Sequence, residues 1–151
     1  MPKIICIVGK ICCGKTTYAK TLPGIVLSVD DFMLPLFGQH CEMIEAKIGL
    51  VQDCLLQQAV AITNAGLDVI FDWGFWRRAE REKVVAFCDA HDITLEWRYI
   101  SIPEKQRQKQ IAQRNHVIEQ GLKEYYVSPG LYAKCDELFE EPEEIHDLKR
   151  V

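Results

Sequence analysis

Seven cysteines occur in the chain, yet no two of them form a Cys-x-x-Cys pair. Their odd number and unpaired spacing argue against both a zinc site and a disulfide framework. No apolar run approaches the length that crosses a bilayer, and no basic start leads into an apolar stretch with a small-residue cleavage site. The expectation is a cytoplasmic protein without a membrane partner. Positive charge is not in excess either. Eighteen Lys and Arg against 22 Asp and Glu leave a formal net charge of −4, which gives no general attraction for a polyanion and weighs against a nucleic-acid substrate. Internal repeats and domain linkers are also missing. With 151 residues, 48% hydrophobic and 26% charged, the chain fits one domain, 1–151, and such a domain buries about 68–70% of its unfolded surface.

What the chain does have is Gly9-Lys10-Ile11-Cys12-Cys13-Gly14-Lys15-Thr16, directly after the apolar run Ile4 to Val8. This is a complete G-x-x-x-x-G-K-T phosphate loop, placed where a buried strand hands over to a helix. Gly9 and Gly14 allow backbone angles that side chains forbid. The helix that follows turns its N–H groups and positive dipole end toward the phosphates. Lys15 then reaches the β- and γ-phosphates, and the Thr16 hydroxyl completes the shell of a Mg²⁺ ion, while residues 9 to 17, including Thr17, form the nucleotide cradle. ATP and Mg²⁺ are the expected cofactors.

Cysteine usage divides in two. Cys6, Cys54 and Cys88 read as small core residues. Cys12 and Cys13 stand beside Lys15 at a helix start, a setting that lowers a thiol pKa, so alkylation there should block nucleotide binding. His40, His91, His116 and His146 have neither metal-ligand nor triad spacing and receive no role.

Four apolar runs predict strands: Ile4 to Val8, Ile25 to Val29, Leu67 to Phe71, and Ile93 to Ile102. Between them, helices are predicted from the phosphate loop to about Leu22, from Glu42 to Asn64, and from Arg78 to Ala90. Ser101-Ile102-Pro103-Glu104 reads as a capping box that opens a fourth helix, running to about Gln120. A further helix covers Leu131 to Phe139 after Ser128-Pro129. The acidic stretch Glu140 to Asp147 reads as a solvated tail or helix face, and Ile145 to Val151 leaves room for a fifth strand. Strands alternating with helices give an α/β, three-layer fold, with a parallel sheet of four or five strands covered on both faces.

Ligands of such sheets gather at the carboxyl ends of the strands. There the second strand runs into Asp30-Asp31 and the third into Asp72. Asp30 is the candidate base that takes an acceptor's proton, with Asp31 as the alternative, and Asp72 is the candidate metal-shell carboxylate. The competing reading has Asp30 or Asp31 capping a turn and Asp72 merely ending a strand. On the polar fourth helix, Arg107 and Arg114 share a face about 10 Å apart along the axis, suited to neutralising charge during transfer; Lys109 lies off that face. A helix so polar packs weakly, so 103–121 is the expected lid. Arg77, Arg78 and Arg81 oppose a helix dipole; either an anionic group on the acceptor or pairing with Glu80, Glu82 or Asp72 offsets that cost. Trp73-Gly74-Phe75-Trp76 and Phe32-Met33-Leu34 are candidates for an apolar acceptor pocket or for core.

The phosphate loop, Ser28-Val29-Asp30-Asp31, Asp72-Trp73-Gly74-Phe75-Trp76-Arg77-Arg78-Ala79-Glu80-Arg81, and the late Arg107 to Arg114-Asn115 pattern together resemble the compact P-loop kinases. That group includes the kinase domain of polynucleotide kinase, chloramphenicol phosphotransferase and zeta-toxin-like proteins, also described as AAA-type ATP-binding proteins. The resemblance spans nearly the whole chain and implies a P-loop NTPase fold, Asp30 as the base, and Arg107 and Arg114 in the lid. Cys12-Cys13 depart from the small Gly and Ser usual in that loop. The reading is an ATP- and Mg²⁺-dependent kinase of a small-molecule hydroxyl. The alternatives are an ATPase or switch module without an acceptor and a 5′-hydroxyl kinase of nucleic acid, the latter motivated by Arg77, Arg78 and Arg81.

Overall fold

Strand β1, Lys3–Val8, is apolar from Ile4 onward because both of its faces are covered there. Its side chains alternate between two cores. Ile4, Cys6 and Val8 join Leu55, Leu56, Ala59, Phe71, Val84 and Cys88 on one face, while Ile5 and Ile7 join Cys13, Ala19, Ile70 and Ile100 on the other. The computed structural model describes residues 1–121 and 126–151. Around β1 stand β2 (Ile25–Val26), β3 (Val69–Gly74), β4 (Thr94–Tyr99) and β5 (Lys149–Arg150). The sheet order is β2-β3-β1-β4-β5, and every pairing is parallel. The helices are α1 (Lys15–Ala19), α2 (Asp30–Phe37), α3 (Ile44–Asn64), α4 (Arg78–Ala90), α5 (Glu104–Glu119) and α6 (Pro129–Leu138). Among the described residues, no helix is long and apolar enough to cross a membrane.

Five local differences from the sequence expectations have physical causes. First, β2 is two residues long rather than five, and Leu27 to Val29 leave the sheet. The neighbouring β3 carries an extra residue against β1, with Cys6 opposite Phe71 but Val8 opposite Gly74. This bulge alters the direction of β3 next to the phosphate loop, a placement typical of site-forming bulges. Secondly, α2 arises where only a pocket-lining stretch is predicted. Pro35 inside it masks the helical signal, although Met33 is buried as an anchor.

Thirdly, α1 stops at Ala19 and a turn carries the chain to Leu22. Fourthly, no Ser101 capping box forms; Pro103 occupies the N-cap of α5 without a side-chain cap bond. Finally, the acidic stretch is not a solvated tail. Glu144 pairs with buried Arg81, and the Glu141 carboxylate accepts the Tyr99 hydroxyl at 2.7 Å. The strand foreseen as an option near the end is β5, whose Lys149 and Arg150 pair with Arg98 and Tyr99.

The cysteines also rearrange. Cys6 and Cys88 are core residues, and burial pushes the Cys88 thiol to about 11 and the Cys6 thiol well above its usual range. Cys54 is exposed on α3, whereas Cys13 and Cys135 take buried places.

Candidate active site

β1 ends in the phosphate loop, whose geometry is set by contacts with its neighbours. Gly9 donates its N–H to the Gly74 carbonyl at 3.0 Å. A β-carbon at Gly9 would stand 2.5 Å from Cys13 Sγ and 2.9 Å from the Ile100 carbonyl, so glycine is required there. Gly14 has φ +97°, and Cys12, a non-glycine residue, is also left-handed at φ +57°. The Ile11 N–H donates to Cys135 Sγ at 3.4 Å, which ties the loop to α6. Lys15 folds back, donating from Nζ to the Lys10 carbonyl at 2.7 Å.

A cavity of about 320 Å³ opens beside the loop. Ile11, Cys12, Gly14, Lys15, Thr16 and Thr17 line it from the loop, and Asp30, Asp72 and Arg114 join them from α2, β3 and α5. Thr16 donates its hydroxyl to Asp72 Oδ2 at 2.9 Å, while buried Oδ1 of the same carboxylate has no partner among the described residues. A hydroxyl and a half-satisfied carboxylate at a phosphate loop suit a hard divalent cation. Asp30, at the start of α2, lines the cavity and the residue stays exposed to solvent, but the protein packed about its carboxyl group withdraws part of its hydration. That enclosure raises its pKa, as does the charge of Asp72; Arg114 and Lys15 oppose the rise.

Not every predicted site residue meets here. Gly9, Lys10, Cys13 and Arg107 do not line this cavity, and neither does Asp31, which points elsewhere on α2. Lys10, Cys13 and Arg107 instead line a second cavity of about 150 Å³ on the other side of the loop, with Tyr99, Ile100, Ser101, Ile102, Glu104 and Glu141. Arg107 is 1% exposed and bonds through Nη2 to Glu104 and Asp136. Its Nε and Nη1 are buried without hydrogen-bond partners among the described residues, and its guanidinium lies 4.4 Å from the Tyr132 ring centre. The two arginines of α5 therefore serve different cavities. Lys10 pairs with Asp136 at 3.1 Å, which also places α6 against the loop.

Arg77, Arg78 and Arg81 have carboxylate partners in Glu45, Glu82 and Glu144 respectively. Arg81 also donates to the carbonyls of Phe75 at 2.8 Å and Glu140 at 3.0 Å. This cluster braces the fold behind the cavity. Phe32 and Leu34 do not line the cavity, while Met33, Trp73 and Trp76 do. Phe75 turns into the core, 5.3 Å from Trp97 edge to face.

A family model described as an AAA domain matches residues 4–123. The chain belongs to this family. No curated protein matches this AAA domain in sequence. Solved structures do match it in fold. A gluconokinase from Sinorhizobium meliloti 1021 is 11% identical with a TM-score of 0.70, over 99% of this chain and 82% of the other. Kti12 of Chaetomium thermophilum, solved with ADP-AlF3, is 13% identical with a TM-score of 0.67, over 98% and 88%. The Pnkp1/Rnl/Hen1 RNA repair complex contains a chain 17% identical with a TM-score of 0.66, matched over 92% of this chain but 46% of that chain. These likenesses show a kinase-like P-loop fold.

Sequence reasoning missed several residues around this AAA domain's cavity. Ile44, Ile48 and Gln52 line it from one face of α3, at i, i+4 and i+8. Their spacing was visible, but an apolar helix face reads as core whether it meets a sheet or a cavity. Glu80, Ser28 and Leu131 also line it; Ser28 and Glu80 stand inside the motif runs read from the sequence but were given no site role there.

Proposed function

We propose that this AAA domain is a kinase that transfers the γ-phosphoryl group of ATP to the hydroxyl of a small molecule. The observation that carries the reading is one 320 Å³ cavity bringing together Lys15, Thr16, Asp30, Asp72 and Arg114 beside an apolar recess. ATP binding rests on the phosphate loop. Lys15, released from the Lys10 carbonyl, faces the β- and γ-phosphates, with loop amides around them. The second cavity, with the unpartnered nitrogens of Arg107, suits the base side of the nucleotide.

Thr16 and Asp72 are the residues that would hold Mg²⁺, which would supply positive charge against the phosphates during transfer. Asp30 accepts the proton of the acceptor hydroxyl. As the acceptor oxygen forms its bond to the γ-phosphorus, the bond from phosphorus to the ADP oxygen breaks and ADP leaves. Enclosure of Asp30 supports this role, because a carboxylate lifted from its ordinary range is a better proton acceptor near neutral pH. Arg114 on α5 faces the charge that spreads over the transferring group, and α5 acts as the lid over the cavity.

An acceptor screen that follows ADP release tests the reading. Release that requires both Mg²⁺ and a hydroxyl compound, and that Asp30→Asn abolishes while ATP still binds, is the expected result. Equal release without any acceptor would replace the kinase by an ATPase, and dependence on 5′-hydroxyl oligonucleotides would replace the small acceptor by nucleic acid.

A further inference from the structure

Beyond the phosphate end, the cavity walls are aromatic and aliphatic: Val29, Met33, Ile44, Ile48, Trp73, Trp76 and Leu131. These walls are rigidly held. Trp73 stacks on Phe71 at 4.1 Å and on Phe75 at 5.5 Å, and its indole N–H is already given to the Leu27 carbonyl at 2.8 Å. Its contribution to a ligand is therefore an apolar ring. Trp76 follows two left-handed residues, Gly74 at φ +86° and Phe75 at φ +48°. The second is strained for an aromatic side chain, and such strain concentrates at ligand sites. The turn sends Phe75 into the core and Trp76 to the cavity. A β-carbon at Gly74 would stand 2.9 Å from Trp76 Nε1 and 3.1 Å from the Gly9 carbonyl, so the turn locks the indole beside the phosphate loop. The Trp76 carbonyl, held by the Glu140 N–H at 2.6 Å, fixes the backbone from behind.

Charge narrows the ligand further. Among the described residues, Lys15 and Arg114 are the cavity's cations, and Asp30, Asp72 and Glu80 its carboxylates. In the kinase reading, on which this inference rests, both cations face the triphosphate. An acceptor carrying a carboxylate or phosphate would then meet Asp30 and Glu80 without a compensating positive group. A polyol fares little better, since beyond Asp30 the side chains placed to satisfy its hydroxyls are Gln52, Glu80, Ser28 and the Trp76 indole N–H, and each unpaired hydroxyl taken from water is costly. We propose that the acceptor is an alcohol with a flat, mainly apolar body and no negative charge, seated against Trp73 and Trp76. A cationic group on it faces Glu80.

Calorimetric titration of the full chain, with and without Mg²⁺ and a non-hydrolysable ATP analogue, tests this with four probes. They are 2-phenylethanol, 2-amino-1-phenylethanol, gluconate and glycerol 3-phosphate. Both phenyl alcohols are expected to bind at least tenfold more tightly than gluconate or glycerol 3-phosphate, and the amino alcohol more tightly than its neutral analogue. Trp76→Ala should weaken both phenyl alcohols about tenfold, Trp76→Phe should restore them, and Glu80→Gln should remove the advantage of the amino alcohol alone. Tighter binding of either anionic probe, failure of both phenyl alcohols to bind, or indifference to Trp76→Ala overturns the assignment. Phosphoryl transfer, followed separately, keeps the two readings apart: transfer to gluconate retains the kinase and overturns this acceptor class. The expected binding order without transfer to any alcohol retains the class and overturns the kinase.

Discussion

The Thr16 hydroxyl donates to one oxygen of Asp72 at 2.9 Å, and the other oxygen of that buried carboxylate is left without a partner among the described residues. An orphaned buried carboxylate oxygen is costly unless something is meant to meet it. In the proposed reaction this pair is where a divalent cation would be held. Asp72→Asn should weaken Mg²⁺ by at least about 10- to 100-fold, the loss caused even by residues that merely orient metal ligands. Nucleotide binding without Mg²⁺ should stay intact. Titration of Mg²⁺ against turnover and against a fluorescent ADP analogue reads both.

Asp30→Asn should reduce kcat by about 10²- to 10⁴-fold, the usual contribution of a positioned acid–base group, with little change in ATP affinity. Its pH behaviour follows from the enclosure that raises its pKa. Activity needs the ionised form, so the acidic limb of the rate profile should lie above the ordinary aspartate range. The stability sign runs the other way. A carboxyl whose folded pKa is raised contributes stability below its unfolded pKa and loses that contribution as pH rises through the folded value. Asp30→Asn should therefore raise the melting temperature at neutral pH and leave it nearly unchanged near pH 3. A lower melting temperature at neutral pH would contradict the assigned environment.

Arg81 joins the Phe75, Glu140 and Glu141 carbonyls to Glu144 from a position 1% exposed. Replacing it by Met should destabilise the fold by about 3–5 kcal/mol, because the half-buried Glu144 carboxylate and several carbonyls lose their partner. Lysine cannot reproduce the planar fork, so Arg81→Lys should rescue little. Chemical denaturation of both variants measures this.

Thiol chemistry should distinguish the loop's two cysteines. Cys13 is 4% exposed and packed into the core beside Ile5 and Ile7, while Cys12 lines the cavity. Iodoacetamide should modify exposed Cys54 and then Cys12 well before Cys13. ATP should protect Cys12 alone. Mass spectrometry of the modified chain, paired with nucleotide binding, gives the answer; modification at Cys12 that leaves ATP affinity intact would contradict its place in the cradle.

Much of this architecture was legible because its signals are local. The loop from Gly9 to Thr16 is a fixed pattern, and Ile4 to Val8 and Val69 to Phe71 are short apolar runs of the kind a doubly covered sheet produces. The features missed depend on contacts distant in sequence. The bulge in β3 exists only against β1, and α2 holds a proline that local rules read as a breaker. Arg107 and Arg114 share a helix stripe in sequence, but α6, through Asp136 and Tyr132, draws Arg107 to the other side of the loop. Glu141 and Glu144 look like solvated charge until Tyr99 and Arg81 are brought beneath them.

The central claim is that the γ-phosphoryl group goes to an organic hydroxyl under the control of Asp30. The most direct measurement is the fate of γ-labelled ATP in a single turnover with Mg²⁺ and an uncharged aryl alcohol, for the native chain and for Asp30→Asn. The account predicts label on the alcohol with the native chain, and neither labelled alcohol nor appreciable inorganic phosphate with the variant. Label released as inorganic phosphate at the same rate in both, with none on the alcohol, would contradict it.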